Sequence, residues 1–210
     1  MATAQERSQI EALISGERAP EGVSKSLRYY ALLESIERNK IDAVERLLES
    51  GIIDPDNESD HAMLKTAAGC TQCDIKIFAL LLARIRKPSV FLQAEVMCEV
   101  AARVRIDAVD LLAANGFNVD AGAGRALADC ISDNNLPVVA ALLRLGADPT
   151  LKGPPLEIWR AGLDAWGVAK RAGNTAALAM LDAQFAQNAL MSSSPASQAA
   201  PAAVSARNHI

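Results

Sequence analysis

Aromatic side chains make up only 4% of the 210 residues, and there are only two histidines. So few rings do not suit a large aromatic-lined pocket. So few imidazoles remove the usual residue of acid–base chemistry. No apolar run approaches the roughly 18 residues of a membrane span, so no membrane insertion is expected. The opening stretch MATAQERSQIEALISGERAP has charges spread through it and no continuous apolar core, unlike a secretory signal. Four cysteines are too few for a disulfide framework in a chain of this length. A reducing cytoplasm is therefore expected, although a protein translocated into a host cell without a cleaved signal would read the same. The formal charge of −4 and pI near 5.3 carry no basic excess, so nucleic acid is not the expected partner. A glycine-rich phosphate loop, an HExxH motif and a spaced Ser/His/Asp set are all missing from the sequence. No catalytic residue, cofactor or metal is expected.

What is present is a periodic apolar pattern in a composition that is 50% hydrophobic. Residues 136–150, LPVVAALLRLGADPT, show it best. Val139, Leu142 and Leu143 stand at offsets 0, 3 and 4, which puts them on one helix face. Gly146, at offset 7, supplies the left-handed residue that ends a helix. The same offsets return at Val44, Leu47, Leu48 and Gly51, then at Ile77, Leu80 and Leu81 with Arg84 in place of glycine. They return again at Val109, Leu112 and Gly116, and finally at Leu178 and Leu181. The anchors Val44, Ile77, Val109, Val139 and Leu178 are 33, 32, 30 and 39 residues apart. A period near 33 marks a repeat architecture.

A first helix is expected before each anchor, over 29–38, 61–70, 94–104, 125–133 and about 163–172. Asn39, Asn134 and Gly173 stand five residues before their anchors, where the chain reverses and positive φ is expected. A further helix is expected over 3–15, with Ile10, Leu13 and Ile14 inward and Gly16 and Pro20 ending it. Each unit is thus helix, tight turn, helix and loop, and neighbouring units must stack to bury their apolar faces.

This pattern resembles the ankyrin repeat, whose hallmark reads TPLHxAAxxGxxxxVxxLLxxGADxN. Residues 139–148 carry its V-x-x-L-L-x-x-G-A-D half, and Asn134 holds the place of the central glycine. The first half is degenerate: Tyr30-Ala31-Leu32-Leu33, Glu95-Val96-Met97-Cys98 and Arg125-Ala126-Leu127-Ala128 replace Thr-Pro-Leu-His. The resemblance covers about residues 29–187. It implies an all-α, ankyrin-like solenoid of about five helix-turn-helix units, preceded by a helical extension over 1–28. A Ser/Ala/Pro-rich tail over 188–210 is expected to be disordered. An insertion of about six residues falls in DPTLKGPPLEIWRAGLDAW, where residues 156–166 are expected to start a helix. The degenerate hallmark and alanine content are similar to bacterial or phage members, which include effectors, immunity proteins and inhibitors.

Four side-chain groups carry candidate chemistry. Cys70 and Cys73 form a CxxC, which is either a redox pair or half of a zinc site, or an ordinary pair of packed cysteines. Residues 54–60, DPDNESD, place acids like a calcium loop. Ser59 stands where that loop needs glycine and Lys65 where it needs glutamate, which leaves a solvated finger with Asp60 as helix cap. Arg84, Arg86 and Lys87 lie one repeat before Arg103 and Arg105, a patch for an acidic partner or a solvated face. Trp159, Leu163 and Trp166 share one helical face, as a ligand-binding pair or as a cap on the open end.

The resemblance implies a protein-binding module that is not an enzyme. Its partner-binding residues are expected on fingers and first helices: Asp54, Asp56, Glu58, Arg86, Lys87, Glu95, Glu99, Phe117, Asn118, Arg125, Asp129 and Lys152. Phe117 is the expected aromatic anchor, with packing on the adjacent finger as the alternative. A monomer is expected. Two other functions stay open: metal or redox work by Cys70 and Cys73, and a structural oligomer joined through the ends of the stack.

Overall fold

The computed structural model describes residues 3–57, 60–154 and 159–192. Among these the chain is all-α, with eleven helices and no strand beyond an isolated bridge between Gly153 and Ala161. The helices are α1 Ala4–Ser15, α2 Lys25–Glu37, α3 Ile41–Glu49, α4 Ala62–Gly69, α5 Ile75–Leu82 and α6 Val90–Ala102. They continue as α7 Ile106–Ala114, α8 Ala121–Ser132, α9 Leu136–Arg144, α10 Ala165–Ala172 and α11 Thr175–Ser192. Residues 156–158 of the expected insertion helix, together with residue 155 and the tail from 193 onward, lie outside the described residues. Residues 188–192, expected in the tail, belong to α11.

Helices pair along the chain: α2 with α3, α4 with α5, α6 with α7, α8 with α9, α10 with α11. The even-numbered helices also pack on one another in order from α2 to α10, as do the odd-numbered ones from α3 to α11. Helix α1 packs on both α2 and α3. It is tied there by the Arg46 Nη2 donating to the Ile14 carbonyl at 3.0 Å and by an Arg38–Glu11 pair at 2.8 Å.

The apolar offsets explain the packing. Val44, Ile77, Val109 and Val139 have no exposed surface, and neither do Leu81, Leu112, Leu142 or Leu181. Leu143 is 4% exposed. Gly146 carries φ +89°, and nothing but backbone conformation requires the glycine, since a Cβ there would meet open space. Its N–H donates to the Leu143 carbonyl, ending α9 as the sequence predicts.

The reversals between paired helices share one backbone shape. Asn39, Val104, Asn134 and Gly173 all stand five residues before an anchor, with φ of +55°, +58°, +56° and +66°. Asn and Gly suit the left-handed region; a β-branched valine does not. Val104 is half exposed, so its side chain is not held there by packing. Val104→Asn, the residue used at two equivalent turns, is expected to raise the unfolding free energy by about 1 kcal/mol. Chemical denaturation checks this, and a decrease in stability would remove the strain argument.

One residue further on, a polar side chain reaches back to the preceding unit. Asn135 Nδ2 donates to Ala101 O at 3.0 Å and Asn174 Nδ2 to Ile131 O at 2.9 Å. Arg105 Nη1 lies 3.4 Å from Ala67 O and 3.3 Å from Cys70 O. These bonds add a donor at helix C-terminal carbonyls; Ala101 O, Ile131 O and Cys70 O otherwise accept from backbone N–H groups of the turn that follows. Cys73 occupies the same register and makes no such bond; it is buried.

The first helices begin earlier than expected in two places. Ser24 and Ser89 accept from the N–H groups of Leu27 and Leu92, so α2 starts at 25 and α6 at 90. At 121–124 the chain makes a left-handed turn through Gly122, Ala123 and Gly124 (φ +67°, +56°, +70°) before α8 proceeds in right-handed form. The insertion does not start a helix at 159: Asp164 caps α10, accepting from Gly167 N–H at 2.8 Å.

Candidate functional site

The loops between units are built on side-chain turns. Asp54, Asn118 and Asp148 each accept, through Oδ1, the N–H two residues on, from Asp56, Asp120 and Thr150 at 3.1, 2.9 and 2.9 Å. Such turns fix a short loop without glycine. Successive fingers are then joined. Arg86 N–H donates to Pro55 O at 3.1 Å, Asn118 N–H to Gln93 Oε1 at 2.8 Å, and Asp148 N–H to Asp120 Oδ1 at 2.9 Å.

Of the residues expected on this surface, Asp54, Asp56, Arg86, Lys87, Asn118 and Lys152 are exposed. Glu58 lies outside the described residues. Phe117 is a correction: it is only 6% exposed and belongs to the core. Its N–H bonds to Leu112 O as Ala147 N–H bonds to Leu142 O. Phe117 thus takes the position of Ala147 and Ile52, residues eight beyond their anchors that are 5% and 1% exposed. These three fingers turn that position inward, and Ile85, its counterpart beyond α5, is half-buried.

Glu95, Glu99, Arg125 and Asp129 are half-buried on α6 and α8 and carry partners of their own. Glu95 pairs with Lys65 from α4, Glu99 with Arg103 at 3.0 Å, and Arg125 with Asp129 at 3.5 Å. Together with Tyr30 and Glu34 on α2, they occupy the same two registers, fourteen and ten residues before the anchors. Tyr30 is 56% exposed and Glu34 pairs with Arg38 at 2.7 Å.

The basic patch does not assemble as expected. Arg105 is buried, 5.8 Å from the Phe78 ring centroid, because its guanidinium serves the helix carbonyls beneath it. Arg103 is taken by Glu99. Arg86 and Lys87 remain as exposed cations. Asp60 does not cap α4; its Oδ2 accepts from Asp54 N–H at 2.9 Å and Lys25 Nζ at 2.8 Å. Burial pushes its carboxyl up, but those two donors outweigh it and hold the group below its ordinary value. The two tryptophans do not share a helical face. Trp159 lies before α10 beside Arg160, whereas Trp166 donates to Asp182 Oδ1 at 2.8 Å and meets Phe185 edge-on at 5.9 Å.

Two exposed apolar residues escape the periodic reading. Val90 and Phe91, in the first turn of α6, are 65% and 70% exposed. Phe91 precedes Glu95 by one helical turn on the same face. The signal for them is Ser89 after Pro88, a cap that starts the helix four residues before the periodic stretch.

Three of the four thiols, Cys73, Cys98 and Cys130, are held in the protonated form. Burial, then the Cys70 thiol, pushes Cys73 up to about 11. Burial, then the Asp129 carboxylate, pushes Cys98 and Cys130 up to about 12. A thiolate is the reactive form, and it is disfavoured at all three. Near the ordinary thiol value of about pH 8.5, these three are expected to resist alkylation in the folded chain and react after denaturation. Mass-resolved labelling that modifies Cys73 within the time taken by an exposed model thiol would overturn this. Among the described residues, no group of three or more His, Cys, Asp or Glu stands together to hold a metal ion, and no helix is long and apolar enough to cross a membrane.

No protein-family model and no curated protein matches the chain.

Proposed function

We propose that the chain is an ankyrin-like repeat scaffold that binds another protein through its finger tips and the solvent face of its even-numbered helices. The observation that carries this reading is a repeated division of labour. At the anchor registers of the odd-numbered helices the side chains are wholly or partly buried, whereas fourteen and ten residues earlier, on α2, α6 and α8, Tyr30, Glu34, Glu95, Glu99, Arg125 and Asp129 reach solvent. On α4 those registers are the buried Met63 and Ala67, and the exposed Lys65 joins the row instead through its pair with Glu95. A row of reachable polar and aromatic groups across several helices on a rigid frame offers an extended binding surface. The biological role that fits is an effector, immunity protein or inhibitor of bacterial or phage type, acting in the cytoplasm or after translocation.

The test places a photo-cross-linking residue at Glu95 or Arg125, and for comparison at Glu45 and Ala140, exposed positions on α3 and α9. In the cells that make the protein, one discrete adduct is expected from the first pair and not from the second. Equal labelling from both pairs, or none from the first, overturns the scaffold reading. The 59% exposure of Phe185 on α11 favours one second reading, a pairing of copies through that end. Sedimentation that shows a monomer at high concentration removes it.

A further inference from the structure

We propose that Arg86, Lys87, Val90 and Phe91 form the anchoring tip of this surface, and that the tip takes a linear segment of a partner protein in which carboxylates flank an apolar side chain. The proposal rests on the protein-binding reading and adds to it a site and a partner chemistry.

The apolar half of the tip stands out against its own repeat. Ile52, Ile53, Phe117 and Val119, large apolar residues of two other fingers, are buried, and Leu151 and Trp159 beyond α9 are half-buried. Among the described residues, Val90 and Phe91 are the large apolar side chains beside a finger that are exposed. They are also held there. Ser89 Oγ accepts from Leu92 N–H at 3.2 Å, and Gln93 donates to Pro88 O at 2.9 Å while accepting from Asn118 N–H at 2.8 Å. The first turn of α6 is therefore fixed between two fingers before any partner arrives. An ordered aromatic that loses little freedom on binding is the kind of group that dominates an interface.

The charged half supplies the partner's sign. Lys25, Arg38, Lys65, Arg103, Arg105, Arg125 and Arg144 all have carboxylate partners. Among the described residues Arg86 and Lys87 are exposed and have none; the same holds for Lys40, Lys76, Lys152 and Lys170, among others, but Arg86 and Lys87 are the two that stand next to the exposed Val90 and Phe91 in the chain. Two such cations beside an exposed phenyl ring fit carboxylates on either side of an apolar residue. The neighbouring finger limits the size of what can sit there. Asp54 and Asp56 are exposed, and their finger is joined to this one through Arg86 N–H and Pro55 O. A broad anionic surface such as a bilayer would meet those carboxylates as well as the cations. A narrow chain segment can meet the cations alone.

The test selects displayed random linear peptides on the full chain and measures their affinities for three variants: Phe91→Ala, Arg86→Glu with Lys87→Glu, and, outside the proposed surface, Glu45→Ala with Glu49→Ala on α3, both exposed. The first two alter exposed side chains, and circular dichroism checks that all three stay folded. The expected pool is rich in Asp and Glu around Leu, Ile or Phe. Its members should bind the first two variants about tenfold more weakly, or worse, and the third unchanged. A neutral or basic pool, an empty pool, or binding lost only in the third variant overturns the tip. None of these touches the cross-linking result, which decides the scaffold reading separately. Co-sedimentation with phosphatidylserine vesicles that Phe91→Ala abolishes would make the tip a membrane contact and overturn the proposal too.

Discussion

Arg160→Met is expected to lower the unfolding free energy by about 3 kcal/mol, which for a chain of this size is roughly 10 °C in Tm. Arg160 is 1% exposed, an unusual place for a guanidinium. Its Nη1 and Nη2 donate at 2.8 Å to the carbonyls of Ala123 and Gly122. Those carbonyls belong to the left-handed turn that opens α8, where the backbone departs from right-handed helical geometry. The Arg160 backbone is held from the other side. Gly153 N–H donates to Leu163 O and Gly162 N–H to Gly153 O, both at 3.0 Å. A Cβ on Gly153 would lie 2.3 Å from Arg160 O, so only glycine fits. The insertion before α10 is thus a clip that reaches back to the start of α8. Methionine keeps the length and apolar contacts of the stem but removes two charge-assisted hydrogen bonds to half-buried carbonyls, each worth about 1.5–3 kcal/mol. Arg160→Lys, a single donor centre, should retain part of the stability. Gly153→Ala should weaken the same clip from the opposite side. Urea unfolding of the three variants checks the order. A methionine variant within about 0.5 kcal/mol of the parent would mean that solvent or another donor replaces the guanidinium.

The clip was not legible in the sequence, and the reason is physical. An arginine in a proline-containing insertion reads as solvated, because nothing local says that it will donate to two carbonyls thirty-seven and thirty-eight residues upstream. Gly122 and Gly124 read as loop punctuation, and Ala123 between them gives no sign of positive φ. Val104 is similar: the register predicts its reversal, its identity does not. By contrast, the odd-numbered helices were legible because burial there is set within seven residues, by apolar side chains at offsets 0, 3 and 4 and a glycine at 7. The reversals at Asn39, Asn134 and Gly173 were legible for the same local reason.

The candidate surface divides along the same line. The exposure of Arg86, Lys87 and Asn118 follows from their place in fingers. The two phenylalanines could not be sorted by residue type. Phe117 is buried because its finger repeats the backbone of Gly146-Ala147, which turns that residue inward. Phe91 is exposed because Ser89 starts α6 early enough to make residue 91 helical, and the phase fixed by the buried Leu92, Val96 and Val100 then turns the ring to the face that carries Glu95. Starting the helix at 94 hid that phase. A cap, one residue long, decided which aromatic reaches the surface.

Leu142→Ala is expected to cost about 3 kcal/mol and to change the form of unfolding as well as its midpoint. Leu142 has no exposed surface and sits on α9, which packs on α7, α8 and α11 at once. The lost methyl groups leave a cavity among four helices, and close packing limits how far they can relax to fill it. In the repeat stack we propose, each unit is held mainly by its neighbours, so stability is a sum of unit and interface contributions. A cavity at α9 weakens the interfaces on both of its sides. Helices α10 and α11 then depend on a damaged neighbour, whereas α1 to α5 keep all of theirs. Unfolding of the variant should therefore split, with fluorescence of Trp159 and Trp166 changing at lower urea than the loss of helix signal from the whole chain. Leu145→Ala, at a half-buried position just beyond α9, is the control and should cost about 1 kcal/mol with coincident transitions. If the Leu142 variant loses the same stability but both signals still change together, the chain unfolds as one cooperative block, and the nearest-neighbour account of the stack is wrong.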